Sequence, residues 1–194
     1  MTDDMQGARG RRFVVVSGIP GSGKTSLARS LAPRLGLPVL DKDDILDGLF
    51  EPQGPGDESW RRRLSRESDA IFQQKASAST GAILVSHWHL SGMPLDSGTP
   101  TDWISELSVG AINVHCYCQP ELAATRFLNR IRHAGHLDKR STYDEVLRSF
   151  RVLVSLGSLD NKSSISVDTS DVINADEVAR KIEAAFERCL KRVV

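Results

Sequence analysis

A chain of 194 residues is long enough for one domain, and it buries about 70% of the surface that its unfolded form would expose. Its 25 basic and 25 acidic residues give no net charge, which excludes the cationic field of a duplex-binding protein and predicts no nucleic-acid partner. A neutral total does not exclude a small anionic substrate, because local charge can differ from the total.

The three cysteines, Cys116, Cys118 and Cys189, follow no framework spacing, which favours a reducing compartment over a secreted scaffold. We expect Cys116 and Cys118 to share one face of a strand, with buried packing favoured over redox or metal work. No window approaches about 18 apolar residues, and the start of the chain lacks the apolar region of a leader peptide. The sequence therefore predicts a soluble, cytoplasmic protein with no membrane partner and a flexible N-terminus over residues 1–11.

Apolar runs alternate with helical patterns along the rest of the chain. The predicted strands are RFVVVS, LPVL, AILVS, INVHCYC and SISVD, and the predicted helices cover residues 24–35, 60–80, 120–132 and 175–192, with another directly after the second strand. Strands separated by helices give a parallel sheet covered on both faces, so residues 12–194 are predicted as one α/β domain. Pro33 is expected to shorten or kink the first helix.

A glycine-rich segment follows the first strand and opens the first helix. Residues 18–25 fit G-x-x-x-x-G-K-[ST], in which glycines leave backbone N–H groups unshielded and the helix N-terminus adds partial positive charge. Lys24 is predicted to reach the outer phosphates of ATP, and Thr25 to offer a hydroxyl to Mg²⁺. An ordinary glycine-rich turn needs neither residue. The predicted nucleotide-binding residues here are Gly18, Pro20, Gly21, Ser22, Gly23, Lys24, Thr25 and Ser26.

An acidic cluster, LDKDDILD, follows the second strand. A carboxylate there can accept a hydrogen bond from a substrate hydroxyl and take its proton, while another can order Mg²⁺ through water. Asp41 and Asp43 point the same way if the segment stays extended. A helix N-cap explains Asp43 or Asp44 alone, but four acids in seven residues exceed what a cap needs. We predict Asp41 as a magnesium ligand with Thr25, Asp41 and Asp44 as substrate contacts, and one carboxylate of the cluster as the catalytic base.

The stretch GIPGSGKTSLARSLAPRLGLPVLDKDDI resembles the start of the P-loop small-molecule kinases. That group includes shikimate and gluconate kinases, chloramphenicol phosphotransferase, zeta-toxin-like kinases and bacterial "AAA family ATPase" kinases. The resemblance spans most of residues 13–185 and implies a P-loop NTPase sandwich of about five parallel strands in the order 2-3-1-4-5, with a short lid at residues 131–142. In the family the acid after strand two contacts the hydroxyl to be phosphorylated, and Asp43 matches that position, so the resemblance implies Asp43 as the catalytic base. Related polynucleotide kinases carry an arginine three residues later, where this chain has Leu46.

The third strand departs from the common P-loop pattern. In many P-loop enzymes the strand beside the loop ends in an aspartate that orders Mg²⁺, but GAILVSHWHLSG offers Ser86 and His87 there. The metal would then rest on Thr25 and on a water-linked Asp43 or Asp41.

Two histidines and two tryptophans surround the Gly/Pro-rich loop at residues 91–101. His87 and His89 lie where open α/β sheets bind ligands, so we predict them as substrate contacts. A metal site would need a third ligand, which is not apparent, and local packing is the other interpretation. Trp88 and Trp103 either stack on a substrate ring or anchor the core.

A basic segment, TRFLNRIRHAGHLDKR, follows the fourth strand. Arg126 and Arg130 are four residues apart and are predicted to share a helical face. Phosphoryl transfer needs cations that cover the γ-phosphate and exclude water, and in the family a mobile lid after strand four carries such arginines. We therefore predict Arg130 as catalytic, Arg126 as a nucleotide contact, and Arg132 and His136 as substrate contacts. Solvated charges near a helix end are the other interpretation.

The turn after the fifth strand borders the adenine in the family, so the resemblance places Asp168 and Thr169 there, although a capping residue would look the same. The predicted activity is ATP-dependent transfer of the γ-phosphate to a hydroxyl of a small molecule, such as a metabolite, sugar or antibiotic. Two alternatives stay open. One is a nucleotide or nucleic-acid 5′-hydroxyl kinase, and the other is an ATP-binding regulator or toxin-like protein with weak transfer.

Overall fold

The computed structural model describes residues 10–52, 56–107, 111–137, 141–159 and 164–191. One parallel sheet runs in the order β2-β3-β1-β4-β5, which confirms the predicted fold. Its strands are β1 (Arg12–Ser17), β2 (Val39–Asp41), β3 (Gly81–Val85), β4 (Ile112–Tyr117) and β5 (Ser164–Asp168).

Helices cover both faces of the sheet, as the alternation of strands and helices predicts. They are α1 (Lys24–Leu35), α2 (Lys42–Phe50), α3 (Glu58–Ala78), α4 (Ile104–Leu107), α5 (Pro120–Asn129), α6 (Tyr143–Ser155) and α7 (Ala175–Lys191). The apolar sides of α1 and α7 pack on one sheet face, and Phe72 of α3 packs on the other with Trp88 and Trp103. Both tryptophans are therefore core anchors. Within the described ranges, no helix has the length and apolar character needed to cross a membrane.

The first helix holds its place through one apolar stripe. Leu27, Leu31 and Leu35 recur at helical spacing and are buried against the sheet. The helix continues past Pro33 to Leu35 and ends at Gly36 in the left-handed conformation. The expected shortening is therefore wrong, since a proline so near the end removes only one backbone hydrogen bond.

Two local expectations around the site are also wrong. Helix α2 begins at Lys42, so Asp41 and Asp43 do not lie on an extended segment; Asp41 is the N-cap and accepts a hydrogen bond from the Asp43 N–H at 3.0 Å. Helix α5 ends at Asn129, so Arg130 has extended backbone and does not share a helical face with Arg126.

Three further expectations concern the N-terminus, the lid and the cysteines. Residues 1–9 of the predicted flexible N-terminus and residues 138–140 of the predicted lid lie outside the described residues. Arg11 donates hydrogen bonds to the carbonyls of Ser77 and Ser79 at the end of α3. Cys116 and Cys118 are both buried but belong to different clusters, because Cys118 lies just after β4; the shared strand face is therefore wrong.

Candidate active site

The loop between β1 and α1 is pressed against its neighbours at two glycines. Gly18 and Gly21 have positive φ values of +134° and +79°, which side chains rarely adopt. A Cβ atom at Gly18 would lie 2.2 Å from the Cys116 carbonyl oxygen, and one at Gly21 would lie 2.1 Å from that of Ala123. Only glycine fits these positions, so the motif spacing is also a packing requirement.

The side chain of Lys24, the first residue of α1, reaches back over the loop. Its Nζ donates hydrogen bonds to the carbonyls of Gly18 at 2.8 Å and Ile19 at 2.9 Å. Burial lowers the pKa of Lys24 to about 8, although the nearby Asp43 carboxylate acts to raise it. The Ser22 hydroxyl is buried and has no hydrogen-bond partner within the described ranges. An ammonium group, a buried hydroxyl without a partner and a helix N-terminus together fit the phosphates of a nucleotide.

The end of β2 supplies the carboxylate that the end of β3 lacks. Asp41 pairs in register with Val85 at the last position of β3, and its Oδ2 accepts a hydrogen bond from the Thr25 hydroxyl at 2.7 Å. Burial raises the pKa of Asp41 above its ordinary value. A hydroxyl and a carboxylate side by side fit Mg²⁺, which binds oxygen ligands and takes one or two carboxylates with substrate phosphates. No group of three or more metal-binding side chains occurs in the part of the chain described.

Asp43 lies in the first turn of α2 and forms an ion pair with Arg132. Burial acts to raise the pKa of this carboxyl group, but the charges of Arg132, His136 and Arg130 outweigh it. The pKa of Asp43 therefore lies below its ordinary value, and the carboxylate is ionised at neutral pH.

The predicted lid segment is docked on α2. His136 Nε2 lies 2.6 Å from the Asp47 Oδ1, and the His133 ring stacks on Phe50 with centroids 5.1 Å apart. A Cβ at Gly135 would lie 2.7 Å from the Phe50 ring. Burial and the Arg132 charge lower the pKa of His136. The segment thus brings the Arg132 cation to Asp43 through a close fit against Phe50.

Arg126 and Arg130 have different surroundings. Arg126 donates hydrogen bonds to the carbonyls of Thr169 at 2.9 Å and Ser170 at 3.0 Å, so it ties α5 to the turn after β5. The Arg130 guanidinium lies over the Phe127 ring, 4.4 Å from its centroid, and its charge acts on both Lys24 and Asp43. The turn itself is fixed by Thr169, which donates to the Tyr117 carbonyl at 2.9 Å.

A cavity of about 250 Å³, here called the charged cavity, opens beside Asp43. Its charged lining residues are Lys42, Asp43, Arg61, Arg62, Arg66, Asp69 and Asp96. The sequence prediction lacks the contribution of α3, because residues 60–80 are predicted there only as a helix. The signal was present: the run Arg61-Arg62 and Arg66 one turn later place several cations along one helix.

A second cavity of about 480 Å³, here called the apolar cavity, lies beside the loop on the other side of His87. Its walls include Ile19, Trp88, Leu90, Leu153, Val154 and Leu159. Ser17 in this cavity hydrogen bonds to the Asn113 side chain at 2.9 Å, and its Oγ lies 3.2 Å from His115 Nδ1.

The other predicted substrate and nucleotide contacts are His87, His89, Asp44 and Asp168, and each has different surroundings. His87 lines both cavities, and burial with the Lys24 charge lowers its pKa to about 4, so the ring is neutral at pH 7. His89 Nδ1 lies 2.7 Å from the Ser97 carbonyl oxygen and fixes the loop instead of lining a cavity. Asp44 is exposed and faces Arg29 of α1, which gives no support to a substrate contact. Asp168 accepts a hydrogen bond from the Ser170 N–H at the rim of the apolar cavity.

Comparisons with known proteins bear on the fold. Residues 13–87 match the AAA domain family. The fold is similar to a crystal structure described as a putative kinase from Chloroflexus aurantiacus, with 25% identity, a TM-score of 0.73, and 91% of this chain and 98% of that chain covered. No curated protein matches the chain.

Two enzymes with assigned names share the fold at lower similarity. A gluconokinase from Sinorhizobium meliloti has 19% identity and a TM-score of 0.54, with 95% of this chain and 97% of that chain covered. A shikimate kinase from Bacteroides thetaiotaomicron has 16% identity and a TM-score of 0.50, with 94% and 97% covered. The comparisons confirm the resemblance drawn from the sequence: the chain has the fold of the P-loop small-molecule kinases.

Proposed function

We propose that the protein transfers the γ-phosphate of ATP to a hydroxyl group of a small molecule held in the charged cavity. The observation that carries this proposal is the position of Asp43. Its carboxylate lines the charged cavity, and its charge also acts on Lys24 of the phosphate-binding loop. One ionised carboxylate therefore lies between the proposed donor site and the proposed acceptor site.

On the donor side, the backbone N–H groups at the start of α1 and the Lys24 ammonium would bind the phosphates. Arg126 and Thr169 would border the nucleotide base, since they join α5 to the turn after β5. Thr25 and Asp41 would hold Mg²⁺. When bound, that ion neutralises negative charge on the phosphate oxygens during transfer.

On the acceptor side, Asp43 would accept a hydrogen bond from the acceptor hydroxyl and orient it. The hydroxyl oxygen forms a bond to the γ-phosphorus as the bond to the bridging oxygen of ADP breaks, and its proton passes to Asp43. Because the pKa of Asp43 lies below its ordinary value, this carboxylate is a weak base. We infer that it takes the proton late, after the hydroxyl oxygen has begun to bond to phosphorus.

The lid cations support transfer over hydrolysis. Arg130 acts electrostatically on both Lys24 and Asp43, and Arg132 pairs with Asp43. Cations in this position stabilise the charge on the transferring phosphoryl group, and a docked lid excludes water. The close contact of Gly135 with the buried Phe50 ring gives the lid a defined docked position.

The test is an ATP-consumption screen with Mg²⁺ over metabolites, sugar derivatives, antibiotics, and RNA and DNA 5′-hydroxyl ends. We expect a small hydroxylated compound to raise ATP turnover and to gain one phosphate by mass spectrometry, and Lys24→Ala to abolish that turnover. Stimulation by nucleic-acid ends alone would favour the 5′-hydroxyl kinase alternative. Tight ATP binding without stimulation by any compound would favour the regulator alternative.

A further inference from the structure

The charged cavity carries a local excess of positive charge in a chain that has none overall. Four cationic side chains line it, Lys42 from α2 and Arg61, Arg62 and Arg66 from α3. Arg62 and Arg66 lie one helical turn apart, so they occupy the same side of α3. From these positions we propose that the acceptor is anionic: a small molecule with a carboxylate or phosphate group besides the hydroxyl to be phosphorylated. This inference rests on the proposed function.

The ion pairs at the charged cavity do not include Arg62 or Arg66 of α3. Lys42 Nζ lies 2.5 Å from Asp69 Oδ1 and also donates to the Ser65 hydroxyl at 3.2 Å. Asp43 is paired with Arg132. Those two carboxylates are therefore neutralised by cations other than the arginines of α3.

After this pairing, the charges that line the cavity do not balance. Among the described residues, neither Arg62 nor Arg66 has an ion-pair partner, and the one further acid that lines the charged cavity is Asp96, an exposed loop residue. Two guanidinium groups thus face the cavity against one carboxylate, even with Arg61 left aside. An anionic ligand would supply the missing charge.

The residue type points to the class of anion. A guanidinium group presents planar donors that match carboxylate and phosphate oxygens in pairs, which a neutral polyol cannot reproduce. The cavity volume of about 250 Å³ lies just below the range of about 300–1,000 Å³ that is usual for ligand sites. Such a volume fits a small hydroxy acid or sugar phosphate better than a nucleotide or the end of a nucleic acid.

The distribution of charge also fixes the orientation of the acceptor. Asp43 is already paired with Arg132, whereas Arg62 and Arg66 of α3 have no ion-pair partner within the described ranges, so the carboxylate or phosphate would face α3. The hydroxyl at the far end would then point to Asp43. This arrangement aligns the reacting oxygen through a contact that takes no part in bond formation.

The first experiment compares anionic compounds with matched neutral ones as acceptors. The pairs are gluconate with glucitol, glycerate with glycerol, and ribose 5-phosphate with ribose, each added to the protein with ATP and Mg²⁺ beside the broader screen. We expect stimulation of ATP turnover from carboxylate or phosphate compounds and none from their neutral partners. A neutral acceptor that matches or exceeds every anionic one would overturn this inference and leave the proposed function standing. Stimulation by no compound at all would overturn both.

The second experiment assigns the anion contact to α3. With the stimulating anionic compound, Arg62→Gln and Arg66→Gln should each raise the KM for the acceptor about tenfold or more, the effect of one lost charge-assisted hydrogen bond. The kcat should change less than about threefold, because these residues do not touch the reacting atoms. Arg63→Gln is the matched control, since Arg63 lies on the same helix but does not line the cavity. Equal KM values for all three variants and the unmodified protein would overturn the assignment.

Discussion

The two cavities that meet at His87 differ in size and in the state of their polar groups. The apolar cavity, about 480 Å³, is nearly twice the volume of the charged cavity, about 250 Å³. Its inner polar groups satisfy one another, since Ser17 bonds to Asn113 and lies against His115. The charged cavity instead has the ionised Asp43 and two arginines without an ion-pair partner within the described ranges. The charges without a partner, and not the volume, are therefore what marks the charged cavity as the proposed acceptor site.

Removal of the Asp43 charge should have the largest effect on turnover of the acceptor. Asp43→Asn keeps the shape of the side chain but removes the proton acceptor, so we expect kcat for the acceptor to fall about 10²–10⁴-fold. The KM for ATP should change little, because the loop and Lys24 are intact. Initial rates of ADP formation at saturating ATP measure both quantities.

The control for this variant is Glu51→Gln, which removes an exposed carboxylate at the end of the same helix. It should leave kcat unchanged. If Asp43→Asn retained acceptor-stimulated turnover while Lys24→Ala abolished it, Asp43 would not be the base.

Blocking one cavity at a time tests the comparison directly. Ser97→Trp adds bulk at the wall of the charged cavity, and Val154→Trp adds the same side chain at the wall of the apolar cavity. An overpacked site typically costs about 1–3 kcal/mol, so Ser97→Trp should raise the acceptor KM about tenfold. Val154→Trp should change it less than about twofold. The opposite order of KM values would place the acceptor in the apolar cavity.

The affinity for ATP should depend on pH through the charge of Lys24. Its pKa in the unliganded protein is about 8, so the side chain is charged below that pH and loses its charge above it. Phosphate binding needs the charged form, and ATP affinity should therefore fall up to about tenfold between pH 7 and pH 9. Calorimetric titration of ATP at a series of pH values measures this change. Constant affinity up to pH 9.5 would show that Lys24 does not titrate in this range.

The same shift in the Lys24 pKa has a consequence for stability. The folded-state pKa of about 8 lies below the ordinary value of 10.5, so the unfolded chain binds more protons between these values. The free energy of unfolding should therefore rise as pH increases from about 8 to 10.5 through this group. Lys24→Met should flatten that part of the profile in urea unfolding experiments.

The donor side could be predicted from the sequence because its residues are neighbours in the chain. Gly18 to Thr25 are consecutive in the chain, and the parallel sheet follows from the alternation of strands and helices, while its order follows from the resemblance to the P-loop kinases. The proposed acceptor side is built from α2, α3, the loop after β3 and the lid, which are far apart in sequence. Nothing local in the sequence shows that Arg62 and Arg66 face the same cavity as Asp43, or that Phe50 receives the lid.

Two residues show why local sequence patterns predict only some of the contacts of a side chain. The sequence predicts Asp41 as a magnesium ligand and a substrate contact and gives the capping alternative to Asp43 or Asp44, but the structure gives the cap of α2 to Asp41, whose side chain also accepts the Thr25 hydrogen bond. Arg130 was placed on a helix by its spacing from Arg126. The helix ends one residue earlier, and the guanidinium packs on Phe127 instead.

The smallest expected effect concerns the lid, which contacts the side of the charged cavity. Gly135→Ala would place a methyl group 2.7 Å from the Phe50 ring, and Phe50 cannot retreat because it is fully buried and stacked on Trp60 with centroids 5.1 Å apart. The lid should dock less tightly, and water should compete better with the acceptor. We expect the ratio of ATP hydrolysis to acceptor phosphorylation to rise about two- to fivefold, which is modest because the loop and base are intact.

Gly48→Ala is the control for the lid variant, because a Cβ at Gly48 meets no atom within 4 Å and the residue lies inside α2. It should stabilise the protein by about 0.5–1 kcal/mol, since alanine favours helix more than glycine does, and it should leave the hydrolysis ratio unchanged. Thermal unfolding and product analysis of both variants separate a loss of lid docking from a general change in stability. An unchanged ratio in Gly135→Ala would mean that the docked lid does not protect the charged cavity from water, and the difference between the two cavities would then rest on their charges alone.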